Sequence, residues 1–125
     1  MVLRYLGELA LATGDYAEAR RYFEIFLAER YEIGGHLGVV LGLAGLCDLA
    51  LAEGEPERAV RLLGAYPAIC ESLALPLTTE EYVSWKARAR SLQAVLGAET
   101  FERLWKQGAA MTIQEAVAFA LKRVC

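Results

Sequence analysis

The feature that most constrains how this chain can fold is a stretch that occurs twice. Leu6 to Arg21 (LGELALATGDYAEARR) returns forty residues later as Leu46 to Arg61 (LCDLALAEGEPERAVR), with Leu6, Leu9, Ala10, Leu11, Ala12, Gly14, Ala19 and Arg21 matched by Leu46, Leu49, Ala50, Leu51, Ala52, Gly54, Ala59 and Arg61. Each copy reads as the end of one helix, a tight turn at glycine and the start of a second helix. A fixed period of this size marks stacked helical hairpins, because one hairpin cannot bury its apolar face alone and uses its neighbour. The expectation is an all-α chain of about six or seven helices, built as antiparallel hairpins stacked into a short superhelix. No alternating run rich in β-branched residues suggests a strand.

Taken in order, the first helix starts at or before Met1 and carries Leu3, Leu6 and Ala10 on one face, with Val2 and Leu9 as further candidates for it, and no N-cap lies ahead. That raw start points to a preceding unit of the array, or a second subunit, packed there. Gly14 suits the left-handed position past a helix end and Asp15 the N-cap of the next helix. The second helix then presents Tyr16, Ala19, Phe23 and Phe26 or Leu27 as its stripe. Gly34 and Gly35 break the chain, and an apolar third helix from about His36 to Glu53 contains Gly38, Gly42 and Gly45. Each interior glycine costs about 1 kcal/mol relative to alanine, so something must approach that helix closely. Pro56 suits a first helical turn, whereas Pro67 should kink or split the fourth helix. Leu75, Pro76 and Leu77 read as an extended linker, and Thr78 with Glu81 as a capping box opening a fifth helix with Tyr82, Trp85, Ala89, Leu92 and Leu96. Its Lys86, Arg88 and Arg90 read as a solvated face. Gly97 ends it, a short helix with Phe101, Leu104 and Trp105 runs to Gly108, and Thr112 with Glu115 caps a last helix of Ile113, Ala116, Val117, Ala120, Leu121 and Val124. These elements form one domain over residues 1–125, divided into a first hairpin (1–33), a second hairpin (35–74) and C-terminal helices (78–125).

Composition narrows the function classes. Hydrophobic residues make up 56% of the chain, above the roughly 45–50% of ordinary soluble domains, which suggests apolar surface that meets a partner. The formal charge is −3 with lysines and arginines scattered, so no basic footprint for nucleic acid stands out. The last segment offers one helix where a helix-turn-helix needs two, and no direct nucleic-acid partner is expected. Cys47, Cys70 and Cys125 lie far apart, without a CxxC or a nearby histidine, and read as reduced core residues of a cytoplasmic protein. The most apolar run, Leu37 to Ala52, is too short to span a bilayer and contains Asp48, so no membrane role is expected. The start lacks the basic n-region and cleavage site of a signal peptide. No phosphate-binding glycine loop is present. His36, the single histidine, has no nucleophile beside it in sequence, Glu80 and Glu81 are explained by a helix start, and Trp85 and Trp105 read as core plugs. No enzyme and no cofactor is expected.

Leu3, Leu6, Gly7, Gly14, Asp15, Tyr16, Ala19 and Phe23, and more loosely Leu43, Leu46, Cys47, Gly54, Glu55, Ala59 and Leu63, carry a resemblance to the tetratricopeptide repeat family. The unit here is forty residues instead of that family's usual 34, and Pro56 stands where an aromatic is usual. Longer units of this kind, together with RLLG at Arg61 to Gly64 and the later Tyr82, Gly97, Phe101, Trp105, Gly108 and Thr112 to Ala116, resemble the helical-repeat segments of large bacterial ATP-dependent signalling regulators, including LuxR-type proteins. The resemblance implies close helix contacts at Gly7 or Cys47 and at Ala19 or Ala59, with Tyr16 and Phe23 filling the space beside them.

It also implies a concave groove lined by the first helix of each hairpin. Matching register assigns Arg4, Glu8, Leu11 and Ala12, then Leu41, Ala44, Asp48, Leu51 and Ala52, to that groove. The function this implies is a noncatalytic protein-interaction module of tetratricopeptide type within a transcription or signalling regulator. It would hold a protein or peptide segment with apolar anchors and a basic group facing Glu8 and Asp48, with self-association through the N-terminal helix as a further contact. The alternative is a small-molecule sensor, with the effector between the glycine-rich third helix and the aromatic residues of the tail.

Overall fold

A computed structural model describes residues 2–72, 74 and 78–121. Among them the chain is all helical, with seven helices: α1 (Val2–Ala12), α2 (Tyr16–Glu32), α3 (His36–Ala52), α4 (Pro56–Ser72), α5 (Thr79–Leu96), α6 (Ala98–Ala109) and α7 (Ile113–Leu121). The expected positions of Met1, of the linker Leu75 to Leu77 and of Val124 and Cys125 lie outside the described residues, as does the Glu81 side chain expected in the capping box.

The turns repeat more finely than the sequence motif. After α1, the Asp15 amide donates to the Ala10 carbonyl (2.9 Å) and the Gly14 amide to the Leu11 carbonyl (3.2 Å). The same pair of bonds recurs at Gly34–Gly35 and at Gly54–Glu55. Gly14, Gly34 and Gly54 all sit at positive φ, between 73° and 82°, where a Cβ is strained. α2, α3 and α4 consequently start twenty residues apart and each run 17 residues. Ala74 is the next position in that series; it too has a positive φ, 54°, and its amide donates to the Glu71 carbonyl.

Asp15 caps α2, its carboxylate accepting from the Glu18 amide at 3.3 Å. Thr112 and Glu115 form the reciprocal box that opens α7, at 2.9 and 3.1 Å. Gly97, at φ 86°, separates α5 from α6.

α3 is the central helix, with Val39, Val40, Leu43, Leu46, Cys47, Leu49 and Ala50 all buried. Its glycines are contact points. A Cβ at Gly38, Gly42 or Gly45 would meet the side chains of Arg30, Leu27 and Phe23 respectively. The numbers run in opposite directions, so α2 and α3 are antiparallel. The Phe23 ring is held between two glycines, because Gly7 of α1 also faces it. Cys47 touches the neighbouring helix, its thiol donating to the Ala59 carbonyl at 3.4 Å. Tyr16, expected to fill space beside these contacts, is instead exposed.

α4 and α6 approach until backbone meets backbone. A Cβ on Gly64 would strike the Trp105 carbonyl at 2.6 Å, and one on Gly108 would run into the Arg61 carbonyl. α7 lies against α2, α3 and α4. Arg58, almost wholly buried, fastens it by donating to the Phe119 and Ala120 carbonyls at 3.3 and 2.8 Å.

Of the two outcomes expected at Pro67, a kink or a split, the split does not occur: α4 runs unbroken from Pro56 to Ser72. Proline removes the amide that would bond to the carbonyl four residues earlier, here Leu63. That carbonyl accepts from the Trp85 indole Nε1 of α5 at 3.3 Å. Trp85 meets Trp105 edge to face at 5.0 Å between centroids, and Phe101 lies 5.3 Å from Trp105. The two tryptophans thus pack α4, α5 and α6 together. No helix among the described residues is long and apolar enough to cross a membrane.

Candidate binding groove

α1, α3 and α5 line one side of the stack and enclose an open cleft of about 450 Å³. α1 contributes Arg4, Glu8, Leu11 and Ala12; α3 contributes Leu41, Ala44, Gly45 and Asp48; α5 contributes Glu80, Ser84 and Arg88; Phe23 and Tyr66 reach it from α2 and α4. Of the residues assigned to a groove from register, Arg4, Glu8, Leu11, Ala12, Leu41, Ala44 and Asp48 therefore come together. Leu51 does not line it, and packs against the core near the end of α3. Ala52 is likewise outside the lining.

The electrostatics differ from the expectation of two acids awaiting a partner's cation. Asp48 is held in a two-pronged ion pair by Arg88, with Nε to Oδ1 at 2.5 Å and Nη2 to Oδ2 at 2.8 Å. Arg88 Nη1 also donates to Ser84 Oγ at 2.8 Å, so all three guanidinium nitrogens are engaged. The hydrogen bond to Asp48 raises the Arg88 pKa further above its already high value, against the opposing effect of burial. Arg4 pairs with Glu8 within α1 at 3.1 Å. Arg88 is accordingly a groove residue and not part of a solvated face. Beneath Asp48, burial first and the Asp48 charge second push the Cys47 thiol up to about 12, so it stays protonated and unreactive.

Glu80, Ser84, Arg88, Phe23, Gly45 and Tyr66 were not assigned to the groove from sequence. Two of them carry a readable signal: Ser84 and Arg88 stand forty residues after Ala44 and Asp48, which stand forty after Arg4 and Glu8. Glu8, Asp48 and Arg88 thus hold the same position in three successive units, and the change of sign at the third makes the ion pair.

The glycines of α3 and the tail aromatics, between which the alternative reading puts an effector, each have packing partners of their own. Arg30, Leu27 and Phe23 of α2 cover those glycines, and Trp85, Trp105 and Phe101 pack on one another. His36 opens α3 at a separate surface recess with Phe26, Arg30 and Leu37, which shares Leu41 with the groove. Among the described residues, no three His, Cys, Asp or Glu side chains cluster as metal ligands would.

A stack of helical hairpins with a charge-paired groove is the class of protein the geometry defines. Comparison of the chain with curated proteins gives 29% identity over 120 residues to "Putative HTH-type transcriptional regulator Rv0890c" of Mycobacterium tuberculosis and, at the same identity, to the equally named Mb0914c of Mycobacterium bovis. The match covers 96% of this chain but 14% of each relative, so the chain spans about one seventh of their length. No family model matches the chain. No solved structure matches it.

These names correct one expectation, that nucleic acid is absent from the partners. The helix-turn-helix for which the relatives are named is a motif that places its second helix in the major groove of DNA. The expectation rested on the scattered cations of these 125 residues, and the charge of so small a share of a relative's length does not describe its remainder.

Proposed function

We propose that this chain is a helical-repeat segment of a bacterial transcriptional regulator and acts as a noncatalytic, tetratricopeptide-like module that holds a protein segment in the α1–α3–α5 groove. The observation that carries the reading is the repeat-spaced lining: positions 4, 44 and 84, and 8, 48 and 88, face one cleft from three helices. A surface built by repetition along an array suits an extended partner lying across the helices. The use of the charges on one another, Arg4 with Glu8 and Arg88 with Asp48, supports recognition over catalysis, since paired groups are spent on position. Leu11, Ala12, Leu41 and Ala44 supply the apolar anchors between them. The likeness to proteins named as transcriptional regulators supports DNA as a partner of the whole protein and the cytoplasm as its place of work.

The test is site-specific photo-crosslinking. A photoreactive residue at Leu41, in the groove, should give a discrete protein adduct in cells, and the same residue at Glu102, exposed on α6, should not. Equal adducts from both positions, or none from Leu41 alongside a metabolite that raises Tm by several degrees, would replace this reading with a nonspecific surface or an effector pocket.

A further inference from the structure

The outward face of α1 is apolar and bare. Val2 is 71% exposed, Tyr5 59% and Leu9 62%, and their spacing of three and four residues puts them on one stripe. The forty-residue register shows what such a stripe is for elsewhere in the chain. Val2, Tyr5 and Leu9 correspond to Gly42, Gly45 and Leu49 of α3. There the equivalent face is covered by the second helix of the preceding hairpin: Leu27 of α2 lies over Gly42, Phe23 lies over Gly45, and Leu49 is 1% exposed.

We infer that the Val2–Tyr5–Leu9 face of α1 is a docking surface for an α2-like amphipathic helix, the second helix of a further hairpin ahead of this one. It continues the interface that α2 already makes with α3. The bulk is reversed, and that sets the chemistry of the occupant. α3 presents glycines to the Leu27 and Phe23 side chains, whereas α1 presents Val2 and Tyr5 at the same positions. A helix seated at the same separation therefore carries small residues where α2 carries Leu27 and Phe23, so that valine and tyrosine fill the space from the other side. The face lies at the end of the hairpin stack and apart from the groove, so the inference rests on the repeat-segment reading but not on what the groove holds.

The register also supplies the experiment. A second copy of residues 16–40, placed directly ahead of Met1, puts an α2 helix, its turn and the first turn of an α3-like helix in frame with α1. In that copy Phe23→Ala and Leu27→Ala provide the small residues. The extended chain should melt at least about 4 °C higher than the unextended one. The amides of Leu6 to Ala12 should exchange about tenfold more slowly. Val2→Asp with Leu9→Asp should abolish both gains, yet shift the Tm of the unextended chain by no more than about 1 °C, because both side chains are exposed there. If the extended chain does not fold, the same 25-residue segment added in excess as a free peptide must slow those amides. Unchanged α1 exchange with fused and free segments alike would overturn the inference. So would a dimer of the unextended chain that the two aspartates dissociate, since a second copy would then be the occupant.

Discussion

Pro67 is tolerated within α4 because the carbonyl it leaves unpaired is taken up by another element. Leu63 loses its helical donor to proline and gains the Trp85 indole at 3.3 Å. Trp85→Phe keeps most of the ring packing and removes the donor, so the buried carbonyl is left unsatisfied. The expected loss is about 1–3 kcal/mol in urea denaturation. In a Pro67→Ala background the amide returns and the same Trp85→Phe change should cost less than about 1 kcal/mol. The difference between the two is the coupling of a double-mutant cycle. Ala74 supports a second prediction at this scale. It holds the left-handed position that glycine holds at 14, 34 and 54, where a Cβ is strained. Ala74→Gly should stabilise the chain by about 0.5–1 kcal/mol, less strain being offset in part by a more flexible unfolded chain. A sequence reader can find Pro67 but not its relief, since the link between Leu63 and Trp85 crosses elements that no local pattern joins.

Between elements, closeness of approach decides which glycines matter. The α4–α6 contact is made by main chains, and a Cβ on Gly108 meets the Arg61 carbonyl, which cannot swing aside. Gly108→Ala should therefore destabilise the chain by about 3 kcal/mol or more in chemical denaturation. Gly42→Ala places its Cβ about 3.1 Å from the Leu27 side chain, which needs a few tenths of an ångström. Its cost should be offset by the roughly 1 kcal/mol gain in helix propensity, leaving it within about 1 kcal/mol of the parent. At this scale much was legible. Turn glycines, the Asp15 cap and the Thr112–Glu115 box are local chemistry and can be read where they stand. The twenty-residue spacing of the turns is legible too, once Gly34 is counted with Gly14 and Gly54. The union of α6 with α4 was not, because it depends on a hairpin that departs from the repeat after Gly97.

For the molecule as a whole, the hairpin stack brings α1, α3 and α5 to one side, and the groove follows from the repeat itself. Seven lining residues follow from two units in register, while Arg88 is legible as a groove residue only when the step of forty extends to a third unit. That residue changes the account of the groove. Asp48 is a paired acid, and Arg88→Ala should free it and leave Glu8, Asp48 and Glu80 outnumbering Arg4. Ala44 lines the cleft from the central helix and is half-buried, packed against the core on its inner side, so a long side chain there obstructs the groove. The most direct test of groove recognition is the affinity of the crosslinked partner segment for the parent and for Ala44→Arg, measured at equal fold stability. The account predicts at least about tenfold weaker binding for Ala44→Arg, or about 1.4 kcal/mol. Equal affinities would contradict it and move the binding surface off the α1–α3–α5 groove.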